Sequence, residues 1–335
     1  MLVKELASLS APSGFEDSVR DFIKKHISAD EFYIDSIGNL ICHKPGNGRK
    51  VMVSAHMDEV GLIITEITER GFLRFSTLGG IEAAVLCSKK VLIGVDSIPG
   101  IVSTKAVHLQ KQDEVNTPPK LKDLYIDIGA KDKESAEKLV SLGDFAVFDG
   151  KYTPFGKNLI KCKALDDRVG CAIMLELMKE DYESDMYFAF TVQEEVGLRG
   201  AQVASYNIKP DIALVIEGTT CSDVYRSKPH NQVTNLGEGA VMTAMDRAAI
   251  SDKAYYDFIM QTAKENNIKL QIKRTTMGGT DAGAIQRSGA GVKTAVLAVP
   301  CRYIHSPVSV MHTDDAESVY KLAKAVLKNI ERSGL

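Results

Sequence analysis

Four short apolar runs, each of strand length, are followed by a glutamate or a histidine. The run at residues 186–192 leads to Glu194-Glu195, and two adjacent carboxylates at the end of a buried strand are costly unless cations or donors lie nearby. The other three runs lead to His56, Glu217 and His305. Because ligands in open α/β sheets bind at the carboxyl ends of strands, we expect the four strand ends to converge on one site.

The order of the predicted elements indicates an α/β fold with a mixed sheet flanked by helices. Strand patterns alternate with helix patterns over residues 1–64 and 156–335, which is the arrangement of a sheet covered by helices. The helix predicted at 166–180 is amphipathic, because Val169 and Ile173 fall on one face.

A β-rich stretch at residues 65–155 interrupts this alternation. Short strand-like runs are separated there by glycine and proline, a pattern typical of a small β unit. We interpret the stretch as a domain inserted into the α/β domain. Residues 111–119 are polar and contain proline, and they predict a mobile loop within the insertion.

Composition and charge exclude several classes of protein. The chain of 335 residues has a formal net charge of -3 and no basic run, so we expect no binding to nucleic acid or to a membrane surface. We expect no transmembrane helix and no signal peptide. The 6 cysteines are scattered without a Cys-x-x-Cys pair, which fits reduced thiols in the cytoplasm.

Carboxylates and histidines at the strand ends favour a metal site. Asp166 and Asp167 open a predicted helix, where a single acid would be enough to complement the helix dipole, so one carboxylate is free for another role. Oxygen and imidazole ligands without thiolates suit zinc, cobalt or manganese. Five such side chains exceed what one catalytic zinc needs, and they suit two ions ~3.5–4 Å apart with a bridging carboxylate.

A supporting acid and a general base complete this hypothesis. If residues 56 and 58 alternate along an extended segment, their side chains face the same side, and Asp58 can orient the His56 imidazole toward a metal ion. Of the two adjacent glutamates, one would bind a metal ion and the other would accept a proton from water. No Gly-x-Ser-x-Gly, Walker or His-Glu-x-x-His motif offers a different chemistry.

Five motifs contain the candidate residues. In chain order they are SAHMDEVG at 54–61, KALDDR at 163–168, QEEVGLRGA at 193–201, GTDA at 279–282 and RYIHS at 302–306. The set resembles that of the di-metal aminopeptidases of metallopeptidase family forty-two, which includes glutamyl, deblocking and TET-type aminopeptidases. The likeness covers nearly the whole chain. It implies a zinc-peptidase-like catalytic domain formed by residues 1–64 and 156–335, and an inserted dimerisation domain at 65–155.

The resemblance also implies which side chains hold the metal ions. His56, Asp166 and Glu217 would hold one ion. Asp166, Glu195 and His305 would hold the other, so that Asp166 bridges the two. The expected ions are two divalent metals per subunit, with zinc first and cobalt or manganese as alternatives.

Catalytic roles follow from the same resemblance. Glu194 would act as the general base, and Asp58 would orient His56. The peptide bond between Asp166 and Asp167 would be cis.

The expected function is the release of N-terminal residues from short peptides, by a bridging water that two metal ions and Glu194 activate. The implied partners are short peptides and further copies of the chain, in dimers that assemble into dodecamers. Two features depart from the family's usual sequence. Glu217 stands where the family usually has aspartate, and residues 79–84 differ from the usual sequence of the inserted domain.

Other functions are compatible with the residues alone. A di-metal carboxypeptidase or deacylase of the same architecture would not recognise a free amine. A non-catalytic relative would bind peptide or metal but would not need Glu194. An endoglucanase fits poorly, because glycoside hydrolysis usually needs two free carboxylates, and metal ions would occupy most of those in this chain.

Overall fold

A computed structural model describes residues 1–110 and 116–335 of the chain. Residues 111–115, which belong to the loop predicted at 111–119, lie outside this description. Within the described residues, an 11-stranded mixed sheet and a smaller closed barrel form the framework. The predicted fold class, a helix-flanked mixed sheet with a small β-rich unit, is confirmed.

Helices are distributed along the whole of this framework. The α-helices are α1 (Val3–Ser8), α2 (Asp17–Lys24), α3 (Ala83–Leu86), α4 (Lys133–Glu137), α5 (Leu165–Leu177), α6 (Arg199–Ile208), α7 (Lys253–Glu265), α8 (Ala282–Gln286) and α9 (Thr313–Asn329). Single 3-10 turns lie at Val107–Leu109, Leu121–Asp123, Pro229–Asn231 and Ile330–Arg332.

The strands divide between the sheet and the barrel. The sheet contains β1 (Glu31–Ile34), β2 (Leu40–Lys44), β3 (Lys50–His56), β10 (Thr153–Phe155), β11 (Leu159–Cys162), β12 (Asp185–Thr191), β13 (Ile212–Cys221), β14 (Ala240–Thr243), β15 (Leu270–Ile272), β16 (Lys293–Arg302) and β17 (Ser309–His312). The barrel contains β4 (Gly61–Ile67), β5 (Leu73–Leu78), β6 (Lys90–Ile93), β7 (Ile98–Ser103), β8 (Tyr125–Asp127) and β9 (Phe145–Phe148).

The central strands of the sheet run in one direction. The order is β1-β2-β12-β3-β13-β16-β17-β11-β10, with β14 beside β16 and β15 beside β14. Neighbouring pairs among β12, β3, β13 and β16 are parallel. Their carboxyl ends therefore reach the same edge of the sheet, which is where a ligand site is expected in such folds.

Helices cover both faces of the sheet because its central strands are apolar on both sides. In β3, Val51 and Val53 belong to the core cluster on the face that carries α1, α5 and α9. Met52 points the other way and joins the cluster on the face that carries α6 and α8. The alternation of side chains along a strand accounts for this division.

The helix that was predicted to be amphipathic, α5, is instead buried around most of its circumference. It contacts α1 and α9 as well as β3 and β13, and even Arg168 is fully buried. The prediction is wrong because residues outside the expected apolar face, among them Gly170 and Cys171, are buried as well.

The barrel has a hydrophobic core of its own. Its apolar cluster includes Leu62, Leu73, Val91 and Ile126. The first barrel strand begins at Gly61 and the last ends at Phe148, inside or close to the predicted insertion. The division into a catalytic domain of residues 1–64 and 156–335 and a dimerisation domain of residues 65–155 stays a prediction.

None of the helices in the described residues is long and apolar enough to cross a membrane.

The cysteines of the described residues are all free, and most are buried. Burial raises the pKa of Cys42 to about 12 and that of Cys162 to about 11, so their reactive thiolate forms are scarce at neutral pH. Cys87 differs from the others because it is only half-buried.

We therefore predict that a disulfide reagent at pH 8 modifies the folded protein at Cys87 alone. The Cys87→Ser variant should show almost no reaction until guanidinium unfolds it, since the remaining thiols are both buried and protonated. Absorbance of the released thiolate measures the extent of reaction. Rapid modification of several thiols in the folded Cys87→Ser variant would contradict the prediction.

Candidate metal centre

The carboxyl ends of the parallel strands deliver the predicted site residues. His56 is the last residue of β3 and pairs with Thr191 at the end of β12, so the segment with Glu194 and Glu195 starts beside it. Gln193 has a positive φ of 56°, which turns the chain sharply after β12. The two glutamates therefore lie just beyond the sheet, next to the end of β3.

Two other ligand candidates come from β13 and β16. Glu217 was predicted to end its strand, but β13 continues to Cys221 and Glu217 lies within it, beside Ala298 of β16. The side chain nevertheless reaches the site, because its Oε2 lies 3.6 Å from His56 Nε2. His305 follows β16, and its Nε2 lies 3.2 Å from Glu195 Oε1.

Asp166 lies at the centre of the cluster. Its Oδ1 is 3.6 Å from His56 Nε2, and its Oδ2 is 3.5 Å from His305 Nε2. One carboxylate thus faces two imidazoles with different oxygens. The peptide bond between Asp166 and Asp167 is cis, as the resemblance implies.

Asp167 is close to the same residues but its oxygens are engaged elsewhere. A group of ligand atoms within 4.8 Å of one another comprises His56, Asp166 and Glu195, and a second comprises His56, Asp167 and Glu217. However, Asp167 accepts hydrogen bonds from the backbone N–H groups of His56 (3.3 Å) and Gly170 (3.0 Å). Asp166 is therefore the better candidate for a metal ligand.

Burial and mutual proximity shift the protonation of these groups. Burial raises the pKa values of Glu194 and Glu217 well above the usual range of glutamate. Burial also opposes ionisation of Asp166, but the two nearby imidazoles hold its pKa below its usual value. Burial alone would lower the pKa of His305, whereas Asp166 and Glu195 raise it to about 11.

The donor set fits divalent metal ions. Oδ1 of Asp166 is buried and has no hydrogen-bond partner within residues 1–110 and 116–335, although buried carboxylate oxygens normally have one. The surrounding donors are carboxylate oxygens and imidazole nitrogens, which suit zinc and similar ions. A cation at this position would satisfy the free oxygen and relieve the repulsion between the carboxylates.

Asp58 connects the two strand ends, in addition to facing His56 as predicted. Its Oδ1 lies 3.3 Å from Nδ1 of His56, whose ring also contacts the Asp58 carbonyl oxygen at 3.1 Å. The Asp58 carboxylate accepts hydrogen bonds from the backbone N–H groups of Glu194 (3.0 Å) and Glu195 (3.2 Å). Ser13 Oγ donates a third, at 2.6 Å. The structure therefore brings all the predicted site residues together around Asp58 and Asp166.

Several supporting residues near the site were not assigned any role from the sequence. Asp281 accepts a hydrogen bond from Thr191 Oγ1 at 2.6 Å, and its backbone N–H lies 3.4 Å from Glu217 Oε1. Glu16 accepts hydrogen bonds from the N–H groups of Gly14 (2.8 Å) and Gln193 (3.1 Å), and burial raises its pKa to about 7. Asp281 lies in the GTDA motif, so it could have been singled out from the sequence. Glu16 lies in none of the five motifs and follows no predicted strand, so nothing in the sequence pointed to it.

A buried ion cluster near the site connects it to the N-terminal segment of the chain. Lys163 Nζ lies 2.6 Å from Glu59 Oε1, and Arg168 Nη2 lies 3.3 Å from the same oxygen. Arg168 also donates to the carbonyl oxygens of Met57 (2.7 Å) and Ala11 (3.0 Å). All three charged side chains are almost completely buried, so the cluster joins the segments that carry His56 and Asp166 to the start of the chain.

Known proteins share this fold and sequence. The family described as M42 glutamyl aminopeptidase matches residues 38–322. The lysyl aminopeptidase of Pyrococcus furiosus is 32% identical over 343 residues, with 98% of this chain and 97% of the relative covered. The solved aminopeptidase APDkam598 of Desulfurococcus kamchatkensis has a TM-score of 0.93 and 37% identity, and the match covers 98% of this chain and 93% of that one.

A second solved structure is the TET1 peptidase of Pyrococcus horikoshii, with a TM-score of 0.87 and 35% identity over 97% of this chain and 98% of that one. With the fold and the buried cluster, these matches define the chain as a peptidase that releases N-terminal residues. It belongs to the M42 glutamyl aminopeptidase family. The resemblance inferred from the five motifs is thereby confirmed.

The buried ion cluster predicts a large loss of stability in the Glu59→Gln variant. Removing the carboxylate leaves two buried cations without their partner, which typically costs about 3–5 kcal/mol in the free energy of unfolding. Urea denaturation with excess chelator, at one fixed protein concentration, measures the change without the contribution of bound metal.

The matched control is Lys138→Met, which breaks the exposed ion pair between Lys138 and Glu134. Exposed pairs contribute about 0–1 kcal/mol, so this variant should unfold almost like the original protein. Equal effects of Glu59→Gln and Lys138→Met would show that the cluster does not stabilise the fold.

Proposed function

We propose that this aminopeptidase binds two divalent metal ions through the side chains of its central cluster. His56, Asp166 and Glu217 would hold one ion, while Asp166, Glu195 and His305 would hold the other. The observation that carries the proposal is the position of Asp166, since its two oxygens face two different histidines. A carboxylate in that position can bridge two ions.

Zinc is the proposed metal, with cobalt and manganese as alternatives. The donors are imidazole nitrogens and carboxylate oxygens, and the free cysteines are not among the ligand groups of the described residues. Such a donor set suits borderline cations. Glu217 offers the same type of oxygen as the aspartate usual in the family.

We propose Glu194 as the general base and general acid. When bound, the metal ions would lower the pKa of a water molecule and polarise the scissile carbonyl group. The hydrogen bond from the backbone N–H of Glu194 to Asp58 fixes its position. Its carboxylate would accept the proton of the attacking water and then donate it to the leaving amine.

Asp58 and Asp281 would act as positioning residues in this reaction. Asp58 faces the ring nitrogen of His56 that points away from the cluster, which leaves the other nitrogen available to a metal ion. Asp281 holds Thr191 through its side chain and approaches Glu217 through its backbone. Both acids would thus orient ligands without touching the substrate.

The proposed substrates are short peptides with a free amino terminus. The family is described as glutamyl aminopeptidase, while one relative is named a lysyl aminopeptidase. The preferred first residue therefore differs between relatives that share one fold, and we infer that residues outside the ligand set determine it. The free thiols of the described residues support a reducing compartment, and we propose the cytoplasm.

We further propose that the chain forms dimers through the barrel and that dimers assemble into a dodecamer. The TET1 peptidase of Pyrococcus horikoshii can assemble into a tetrahedron or a large octahedral shell. Several large apolar side chains of the barrel are exposed, including Val95 (88%), Leu142 (64%) and Ile101 (51%). Exposed apolar patches commonly mark interfaces between proteins.

The role of Glu194 predicts that the Glu194→Gln variant keeps its metal ions but loses turnover. Acid–base catalysis typically contributes ~10²–10⁴-fold, so kcat should fall by roughly that factor for a short peptide with a free amino terminus. Elemental analysis measures the metal content, and zinc, cobalt and manganese are each added back to chelated protein to identify the active ion.

Three controls accompany this experiment. The exposed Glu137→Gln variant should keep full activity, whereas His305→Ala should lose metal, because His305 is a proposed ligand. The N-acetylated form of the peptide should resist hydrolysis, as expected of an aminopeptidase. Turnover of Glu194→Gln close to that of the original protein would refute its assignment as the base.

The proposed assembly predicts a molar mass of about twelve subunits in light scattering, as in a dodecamer. A variant that combines Val95→Asp with Leu142→Asp should be smaller, because it places two charges on the apolar surface of the barrel. Tyr206→Asp is the control, since Tyr206 is equally exposed but lies on α6 of the other unit. An unchanged mass of the double variant would argue against the barrel as the interface.

A further inference from the structure

We propose that Gly79 and Gly80, in the loop that follows β5 of the barrel, position His305 and Glu195 for metal binding. The barrel would then be part of the metal centre and not only a surface for self-association. This inference rests on the proposed ligand roles of His305 and Glu195.

The carbonyl oxygen of Gly80 is the first contact that carries the proposal. It lies 2.9 Å from Nδ1 of His305, and the other ring nitrogen faces Glu195 (3.2 Å) and Asp166 (3.5 Å). A carbonyl acceptor on one nitrogen fixes the proton there and leaves the opposite nitrogen free to bind a metal ion. The Gly80 carbonyl therefore determines both the orientation and the tautomer of a His305 that binds metal.

His305 needs such support more than His56 does. The His56 side chain is 1% exposed and is held by Asp58, whereas the His305 side chain is 34% exposed. His305 also has a positive φ of 58°, and so has Tyr303. Left-handed backbone at non-glycine residues persists only where the surroundings hold it. The hydrogen bond from the barrel loop supplies a constraint of this kind.

Gly79 provides the second contact, with the other ligand of the same proposed ion. Its φ is +84°, and a Cβ atom there would lie 2.9 Å from Val60 Cγ1 and 3.1 Å from Glu195 Cβ. Only glycine allows the loop to pass so closely over Glu195. The close approach limits the space available to the Glu195 side chain on the side of the barrel.

A Cβ atom added at Gly79 would have less space than one added at Gly80. At Gly80 an added Cβ would meet Nδ1 of His305 at 3.7 Å, an ordinary contact. At Gly79 it would collide with Val60 and would crowd Glu195. A methyl group at residue 79 should therefore displace the loop and its carbonyl from His305, while a methyl group at residue 80 should leave both in place.

The test compares Gly79→Ala with Gly143→Ala. Gly143 is the matched control, because it also has a positive φ (+86°) and lies in the barrel segment, and no atom of residues 1–110 or 116–335 lies within 4 Å of a Cβ added there. Competition with a chromophoric chelator measures the affinity for each of the two zinc ions in the full-length protein. Unfolding temperatures in excess chelator report whether each variant is folded.

Loss of a supporting contact to a metal ligand typically costs 10–100-fold in metal affinity. We expect Gly79→Ala to lose roughly that much for one zinc ion and little for the other. The Gly143→Ala control should stay within about 2-fold of the original protein, well below that range. A folded Gly79→Ala variant that keeps both affinities would overturn the proposal.

A second measurement uses the unaltered sequence, in case Gly79→Ala does not fold. Hydrogen–deuterium exchange of the peptide that contains Gly79 and Gly80 should slow when zinc is added to metal-free protein, since a fixed His305 holds the loop. The slowing should be absent in His305→Ala. No change in the unaltered protein would also overturn the proposal.

The ligand variants separate this inference from the function on which it rests. If His305→Ala and Glu195→Gln still bind two zinc ions tightly, the proposed ligand set fails, and the positioning role fails with it. If both variants lose one ion while Gly79→Ala does not, only the role of the barrel loop is refuted.

Discussion

The burial of several carboxylates around Asp166 is the constraint on which the rest of the structure depends. Asp166 faces His56 and His305; Glu217 also approaches His56, and Glu195 also approaches His305. Burial raises the pKa values of both glutamates. Like charges at such distances repel one another strongly in a medium of low dielectric constant. The arrangement is stable only if imidazolium groups or bound cations balance the charge, and a rigid frame must hold the donors in place.

That frame comes from parts of the chain that are far apart in sequence. The parallel strands bring His56 and Glu217 to one edge of the sheet. Asp58 then joins the end of β3 to the glutamates after β12, and the cluster of Glu59, Lys163 and Arg168 joins both to the N-terminal segment. The side chains of Asp58, Glu59, Lys163 and Arg168 are buried, so water competes little for their hydrogen bonds.

Much of the site could be predicted because its residues follow apolar strands or lie in recognisable motifs. Strand ends converge in an α/β sheet, and this rule was sufficient to bring His56, Glu194 and His305 together. The same reasoning misjudged Glu217, which lies inside β13, and the surface of α5, because neither strand length nor burial of small residues follows from local periodicity. Glu16 gave no signal, since its role depends on a contact with Gln193 on a distant segment.

The sequence by itself determined the fold class and the chemistry of the donors. The separate roles of Glu194 and Glu195 stay a prediction that the family resemblance implies. Only the tertiary structure decided which backbone groups contact the side chains of the cluster. The carbonyl oxygen of Gly80 contacts His305, which lies 225 residues further along the chain. Every residue has a backbone oxygen, so the sequence does not show which one makes such a contact. Such a contact exists only after the barrel and the sheet have folded against each other.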